Sequence, residues 1–332
     1  MSMQKILTFG EILIRQQSLH DSFFEPGENL LKIYPGGSEA NVAVSLAQMG
    51  SQVEYVSAFP ENKLSSEILN VLKSYQVDTS KCIYFGDRIG TYLLLSANGL
   101  TNGEVIYDRK YASFSQLRSK HIDIDRLFDG VDWFHWSALS PALNQETADM
   151  MEVLLQAAKA RNICISVDLN DRSKLWQYGK DPIDVMPKLV AYCQVIMGNI
   201  WAANKMLGTP IDPTFNRETP AATYIDFANK LATTIFKDYP NALHIAQTFR
   251  FMDNPKHNLF YGTYHTPTQN STSKTYETNE IIDRIGSGDA FMAGLIYAIR
   301  STINPEEIIN MATAAGYQKL FIEGDFGQGK FN

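Results

Sequence analysis

Cysteine is scarce in this chain: Cys82, Cys164 and Cys193 are the full set, and no CxxC pair occurs. A sparse, odd trio supports neither a disulfide framework nor a zinc site. The six histidines show no HExxH or other ligand spacing, so no protein-built metal site is expected. No segment reaches the roughly 18 apolar residues of a membrane span. The opening "MSMQKILTFGEILIR" has too short an apolar run, with charge too early, for a signal peptide. A cytoplasmic protein without a membrane partner is therefore expected. Positive charge is also short, with 29 Lys and Arg against 36 Asp and Glu and a net charge of −7. That weighs against a nucleic-acid partner, although a local cluster of amides and arginines can still bind an anion. An early GxGxxG is missing, which counts against a nicotinamide dehydrogenase. Repeats, low-complexity tracts and linkers are missing too.

What the 332 residues do contain is alternation. "KILTFGEILIR" reads as two strands broken at Gly10, and "GGSEANVAVSLAQMG" as a helix with Ser38 as its N-cap. "QVEYVSAFP" is a strand and "KLSSEILNVLKSYQV" a helix. This β-α rhythm predicts a parallel sheet with helices on its faces. It is interrupted by "GTYLLLSANGLTNGEVIYDRKYAS", which reads as a hairpin, and then resumes through "VDWFHWSAL", "ICISVDLN", "CQVIMGN" and "ALHIAQTF". The expectation is one domain over residues 1–332, with a β lid formed by about 12–34 and 90–114.

Three stretches carry candidate chemistry. "DRIGSGDAF" opens a helix with glycines. Such a turn can aim the N–H groups of Gly286, Ser287 and Gly288 at an anion, with Asp289 beside them as a proton acceptor. The plain alternative is an acid favoured in a helix's first turn. In "PGGSEANVA", Gly36 and Gly37 permit close approach of a ligand to backbone, and Asn41 offers a donor and an acceptor; a simple strand-to-helix connection fits as well. "VDLNDRSKLW" ends a strand with Asp168, Asn170 and Arg172, at the sheet edge where α/β proteins bind ligands. Tyr92, Tyr107 and Arg109 lie on the hairpin, where an arginine can clamp a carboxylate or simply sit in solvent. "GDFGQGK" matches the letters of a P-loop, but Phe331 follows where Ser or Thr is needed and no helix can follow.

Taken together, "GGSEANVAVSLAQMG" and "DRIGSGDAFMAGLIYA" resemble the two signature regions of the PfkB, or ribokinase-like, carbohydrate kinases, in the same order and with the hairpin between them. The resemblance spans essentially the whole chain. It implies a three-layer α/β/α sandwich with a mostly parallel central sheet and a small β-sheet lid, using ATP and a divalent cation, normally Mg²⁺. Asp289 then matches the catalytic base and Gly286, Ser287 and Gly288 the anion hole. Gly36, Gly37 and Asn41 match the sugar-binding turn, and Asp283 an aspartate near metal and phosphates. "YDRKYAS", "HWSALSPAL" and "VDLNDRSKLW" are most similar to 2-keto-3-deoxygluconate kinases. The resemblance there implies that Tyr92, Tyr107, Arg109, Asn170 and Arg172 contact the sugar acid, two arginines suiting a carboxylate. Fructokinases share parts of these patterns, so fructose or a related hexose is the alternative substrate. A non-catalytic sugar- or nucleotide-binding protein on this fold is the alternative of another class.

Three departures stand out. Arg284 replaces the usual Thr and brings a cation near the phosphates. The family's NxxE appears as "NIWA", Asn199 to Ala202, without its glutamate. The stretch after "IAQTFR" lacks the usual glycines, leaving Thr248 and Arg250 as candidate nucleotide contacts. The lid sheet offers an edge for a homodimer.

Overall fold

The computed structural model describes residues 5–19, 23–24, 27, 29–95 and 104–331. Strand β1 (Lys5–Phe9) is followed by β2 (Leu13–Ser18) and β3 (Leu31–Gly36), then by helix α1 (Ser38–Gln48). Next come β4 (Val53–Val56), β5 (Ala58–Phe59), α2 (Lys63–Ser74) and β6 (Ile83–Tyr84). The expected hairpin is β7 (Gly90–Leu94) and β8 (Val105–Asp108), which pair antiparallel; its tip lies outside the described residues. The alternating half holds α3 (Ile124–Phe128), β9 (Val131–Ser137), α4 (Gln145–Ala160), β10 (Cys164–Asp168), α5 (Pro182–Val190), β11 (Val195–Gly198) and α6 (Ile200–Leu207). It continues with α7 (Ala221–Asp238), β12 (His244–Phe251), β13 (Asn258–His265), β14 (Asn270–Thr272) and β15 (Tyr276–Thr278). Helices α8 (Ser287–Ser301) and α9 (Pro305–Gln318) follow.

The central sheet runs β14-β13-β12-β11-β10-β9-β1-β4, with β15 also on β13. From β12 to β4 every pairing is parallel, and only the β13 side is antiparallel. Successive side chains on a strand face opposite ways, so each central strand feeds two cores. Leu7 and Phe134 join one with Leu154, Met186, Met206 and Leu231 from α4 to α7. Ile6 and Trp133 join the other with Leu46, Leu72, Phe291 and Ile309 from α1, α2, α8 and α9. The result is three layers around a mostly parallel sheet. Helix α5 escapes a sequence reading because Pro182 and Pro187 look like breakers. Pro182 occupies the first turn, where its missing N–H is harmless, but Pro187 lies inside the helix.

A second sheet, β3-β2-β7-β8, forms the lid. Its register sorts its side chains into rows. Tyr34, Arg15, Tyr92 and Tyr107 align across the four strands on one face, and Ile33, Gln16, Leu93 and Ile106 on the other. Ile33 and Ile106 are exposed, whereas Arg15 is fully buried. The Tyr and Arg row therefore looks inward.

Candidate active site

A cavity of about 510 Å³ opens between the lid and the carboxyl ends of the central strands. This is where open α/β sheets bind ligands. The starts of α1 and α8 form its floor. The α8 cap, Gly286, has φ 82°, in the left-handed region that glycine enters without strain. A Cβ there would also lie 2.1 Å from the Asp325 carbonyl oxygen. Asp289, in the first turn, faces the cavity and accepts hydrogen bonds from Ser38 Oγ and Asn41 Nδ2, both at 2.7 Å. Burial raises its pKa above the ordinary carboxylate value, opposed by Asn41, Ser38 and the cations Arg172 and Lys319. Each oxygen retains lone-pair capacity for a further donor.

The α1 start is built differently. Gly37, not Ser38, is its N-cap, with extended backbone at φ 175°. Ser38 is instead the first helical residue, and its hydroxyl serves Asp289. The glycines are needed for space: a Cβ on Gly36 would lie 2.1 Å from Asp325 Oδ2, and one on Gly37 2.2 Å from the Glu11 carbonyl oxygen. Asn41 is fixed by its two contacts, since its Oδ1 accepts from Gly37 N at 3.3 Å.

Four aspartates line the cavity: Asp168, Asp171, Asp289 and Asp325. Burial pushes Asp168 and Asp325 up to about 7. Asn170, whose N–H donates to Asp168 Oδ1 at 2.9 Å, also reaches toward Ser38 Oγ at 3.4 Å. Tyr92 and Tyr107 roof one end, with ring centroids 6.1 Å apart, and the Tyr92 hydroxyl donates to Asp325 Oδ2 at 3.3 Å.

The two-arginine carboxylate clamp is not formed. Arg109 lines the cavity, but its Nε donates to Glu11 Oε2 at 2.8 Å and its Nη2 to the same oxygen. Both residues are buried, so the two charges pair, as buried charges must, with Glu11 Oε1 left without a hydrogen-bond partner among the described residues. Arg172 is exposed at the rim, donating to the Asp171 carbonyl at 3.1 Å, and is the arginine left for a ligand.

The other end of the cavity is cationic. Arg250 donates to Ser287 Oγ at 2.5 Å and lies over the Phe260 ring at 5.3 Å. Burial, with Arg284 and Arg172 nearby, lowers its pKa to about 10. Arg284 Nη2 donates to the carbonyls of Pro255 at 3.0 Å and His257 at 2.6 Å. Arg284 Nε and Nη1 and Arg250 Nε are buried with no hydrogen-bond partner among the described residues. Buried donors without partners are costly, and both guanidinium groups belong to residues that line the cavity. Thr248 and Asn199 also line this end. Asn199 is the α6 N-cap, accepting from Ala202 N at 2.8 Å, while Ala202 fills the missing glutamate's place. Among the described residues no group of three His, Cys, Asp or Glu side chains could hold a metal ion. Mg²⁺ needs only one or two carboxylates beside substrate phosphates, and Asp168, Asp171, Asp289 and Asp325 line the cavity.

Asp283 does not line the cavity. Its carboxylate accepts from Arg15 Nη2 at 2.7 Å, Ile285 N at 2.9 Å and Gly324 N at 3.1 Å, so it braces the approach to α8 from behind. Sequence reasoning missed Glu11, Arg15, Ser38 as a ligand of Asp289, and Asp325. The acid and base inside the apolar run "FGEILIR" were the available signal, since charges in a core strand need partners.

Residues 3–236 match the pfkB family carbohydrate kinases. A 2-dehydro-3-deoxygalactonokinase of Haloferax volcanii is 25% identical over 97% of this chain and 92% of its own. A 2-dehydro-3-deoxygluconokinase of Bacillus subtilis is 23% identical over 87% and 81%. The crystal structure of 2-dehydro-3-deoxygluconokinase from Thermotoga maritima superposes with a TM-score of 0.87 at 30% identity, covering 97% of this chain and 95% of that one. Fold, site and relatives agree: the chain belongs to the pfkB family of carbohydrate kinases, and it is a sugar kinase that uses ATP.

Proposed function

We propose that the protein transfers the γ-phosphoryl group of ATP to a primary hydroxyl of a 2-keto-3-deoxy sugar acid, with 2-keto-3-deoxygluconate as the first candidate. The observation that carries this is the polarity of the cavity. Carboxylates and tyrosines suit a polyol at one end, the Arg250 and Arg284 guanidinium groups suit a polyphosphate at the other, and Asp289 stands between them. The named relatives and the exposed Arg172 support an acidic sugar.

Asp289 takes the hydroxyl proton as the oxygen attacks phosphorus. Ser38 and Asn41 hold its carboxylate in place. The N–H groups of Gly286 and Gly288 meet the transferred phosphoryl group, the expected third donor, Ser287 N–H, being turned to the Arg284 carbonyl at 3.2 Å, and Arg250 and Arg284 hold the remaining phosphates. Asn199 and Thr248 flank that path. Phosphoryl transfer depends mainly on such positioning and electrostatics. The lid row Tyr92 and Tyr107 covers the sugar and limits water as a competing acceptor. The cavity aspartates would hold Mg²⁺ together with the ATP phosphates, and the cation would offset the charge on those phosphates.

We read the chain as one kinase domain working in the cytoplasm; among the described residues no helix is long and apolar enough to cross a membrane. The exposed Ile33 and Ile106 on the lid's outer face support pairing with a second copy. The pairing of Arg109 with Glu11 favours one second reading, a neutral hexose such as fructose, because it leaves a single arginine for a carboxylate. ADP release from Mg·ATP with 2-keto-3-deoxygluconate, 2-keto-3-deoxygalactonate, fructose, ribose and no sugar separates the two. Selective turnover of a keto-deoxy acid is expected. Turnover of fructose alone would replace the acid by the hexose.

A further inference from the structure

One buried cation has no part in the reaction described above. Lys319 ends α9's turn into a short 3-10 helix, Lys319–Phe321. It is 1% exposed, and its Nζ donates to the Ile322 carbonyl at 2.9 Å. Its stem runs under the anion-hole turn: Cε is 3.4 Å from the place of a Cβ on Gly286. An ammonium in a protein interior is costly unless opposite charge lies beside it. Asp283 and Asp325 provide that charge, with Asp289 farther forward.

The neighbouring charges decide what the ammonium does. Arg15 reaches both aspartates, with Nη2 2.7 Å from Asp283 Oδ2 and Nε 3.2 Å from Asp325 Oδ1. One guanidinium against the Asp283 carboxylate and Asp325, whose pKa burial raises to about 7, leaves a partial excess of negative charge at neutral pH directly behind a turn that must receive an anion. Lys319 removes that excess. Burial and Arg15 lower its pKa and the carboxylates hold it up, with the balance at about 8, so it is charged at neutral pH.

We propose that Lys319 is a built-in cation of the phosphoryl-transfer site, a positioning residue whose ammonium neutralises the Asp283–Asp325 pair behind Gly286 and fixes the turn that presents N–H groups to the phosphoryl group. It touches neither substrate. A dry, low-dielectric position gives such a charge more effect than it would have in water, and this one needs no reorganisation during the reaction.

The test uses the full chain with Lys319→Met, Lys319→Ala and Lys319→Arg, folding being checked by circular dichroism and melting. Lys319→Met is expected to lower kcat by about 10²-fold, the scale of losing an electrostatic contact to the transition state. Its sugar KM should stay within about threefold, because the sugar contacts lie elsewhere. Methylammonium should raise the turnover of Lys319→Ala saturably, and methanol at the same concentration should not. Wild-type turnover in Lys319→Met, or equal rescue by methanol and methylammonium, would reduce Lys319 to packing. If Lys319→Met does not fold, Lys319→Arg carries the test. Turnover within about tenfold of wild type is expected where charge is the requirement, and a folded but slower arginine variant overturns the proposal. The inference rests on the kinase reading of the Gly286–Gly288 turn but not on the choice of sugar. Calorimetric binding of a non-hydrolysable ATP analogue, which keeps the γ-phosphoryl group, without sugar separates the two. Lys319→Met should bind it about tenfold more weakly, whichever sugar the wild-type protein phosphorylates; unchanged analogue binding together with unchanged kcat counts against Lys319 alone.

Discussion

Helices α1 and α8 begin alike and end up doing different work. Each opens with glycine and carries one acid in its first turn, Glu39 and Asp289. Each points its positive end toward the cavity. Yet α8 contributes backbone N–H groups and a cavity-facing carboxylate, while α1 contributes side chains, Ser38 and Asn41, that hold that carboxylate. Glu39 is 1% exposed and faces inward, accepting from Ser137 N at 2.9 Å and Ser137 Oγ at 2.6 Å. The same local signal, an acid at a helix start, thus yields a cavity-facing carboxylate, the proposed base, in one place and a structural tie in the other. What differs is the surface each side chain meets.

The sharpest way to break this comparison is Asp289→Asn. The variant keeps the shape but cannot accept a proton, so kcat should fall about 10²–10⁴-fold, with sugar KM changed by only a few-fold. Steady-state kinetics decide this, and near-normal turnover would remove Asp289 from the mechanism. The raised pKa adds a second reading. The acid limb of kcat/KM in the wild-type enzyme should lie above the ordinary carboxylate range, because protonated Asp289 cannot act as a base.

The glycines sharpen the comparison next. Gly286→Ala meets both a left-handed φ of 82° and the Asp325 carbonyl, and should cost on the order of 2–5 kcal/mol of stability. At Gly288 a Cβ meets nothing within 4 Å. Gly288→Ala should therefore hold or slightly raise the melting temperature, since alanine favours helix. Its methyl group projects into the cavity, so a loss of turnover without a loss of stability would mark the place where the phosphoryl group sits. A smaller effect is expected for Arg284→Thr. Loss of a charged donor at the phosphate end should raise the ATP KM about tenfold and leave the sugar KM alone; an unchanged ATP KM would confine Arg284 to bracing residues 254–257.

The α/β rhythm and the two helix starts were legible because they are local. Apolar period, glycine placement and an acid in a first turn can all be read within fifteen residues. The charge partners were not legible, because they are distant in sequence. Arg15 and Asp283 are 268 residues apart, and Arg109 and Glu11 are 98 apart. Residue type alone made Arg109 a carboxylate clamp, and only the fold shows that it already has one. The stretch "GDFGQGK" places Asp325 against Gly36 and Gly286, where no pattern of letters would put it. Ser38 was misread as a cap. Its backbone is already helical, with the Asn41 N–H donating to the Gly37 carbonyl, so the cap falls one residue earlier and the hydroxyl donates to Asp289.

The subtlest test compares the two acids by pH. In the folded protein burial pushes Glu39 up to about 7, with repulsion from Asp289 adding to it and the Ser137 donors and the Glu39 backbone N–H opposing it, against an ordinary value of 4.5. Between those values the native state holds a proton that the unfolded chain has lost. Its stabilisation is therefore complete below about 4.5 and disappears as pH rises through about 7. Asp168 and Asp325, also pushed up to about 7, act with the same sign. The melting temperature should then fall from pH 5 to pH 8. Glu39→Gln, permanently neutral and of the same shape, should flatten part of that fall, by at most about 3 kcal/mol, while kcat stays within about threefold of wild type because Glu39 touches no reacting atom. If Glu39→Gln instead lowers turnover as Asp289→Asn does and leaves the pH dependence of melting untouched, the division of labour between the two helix starts is wrong, and the α1 acid belongs to the chemistry.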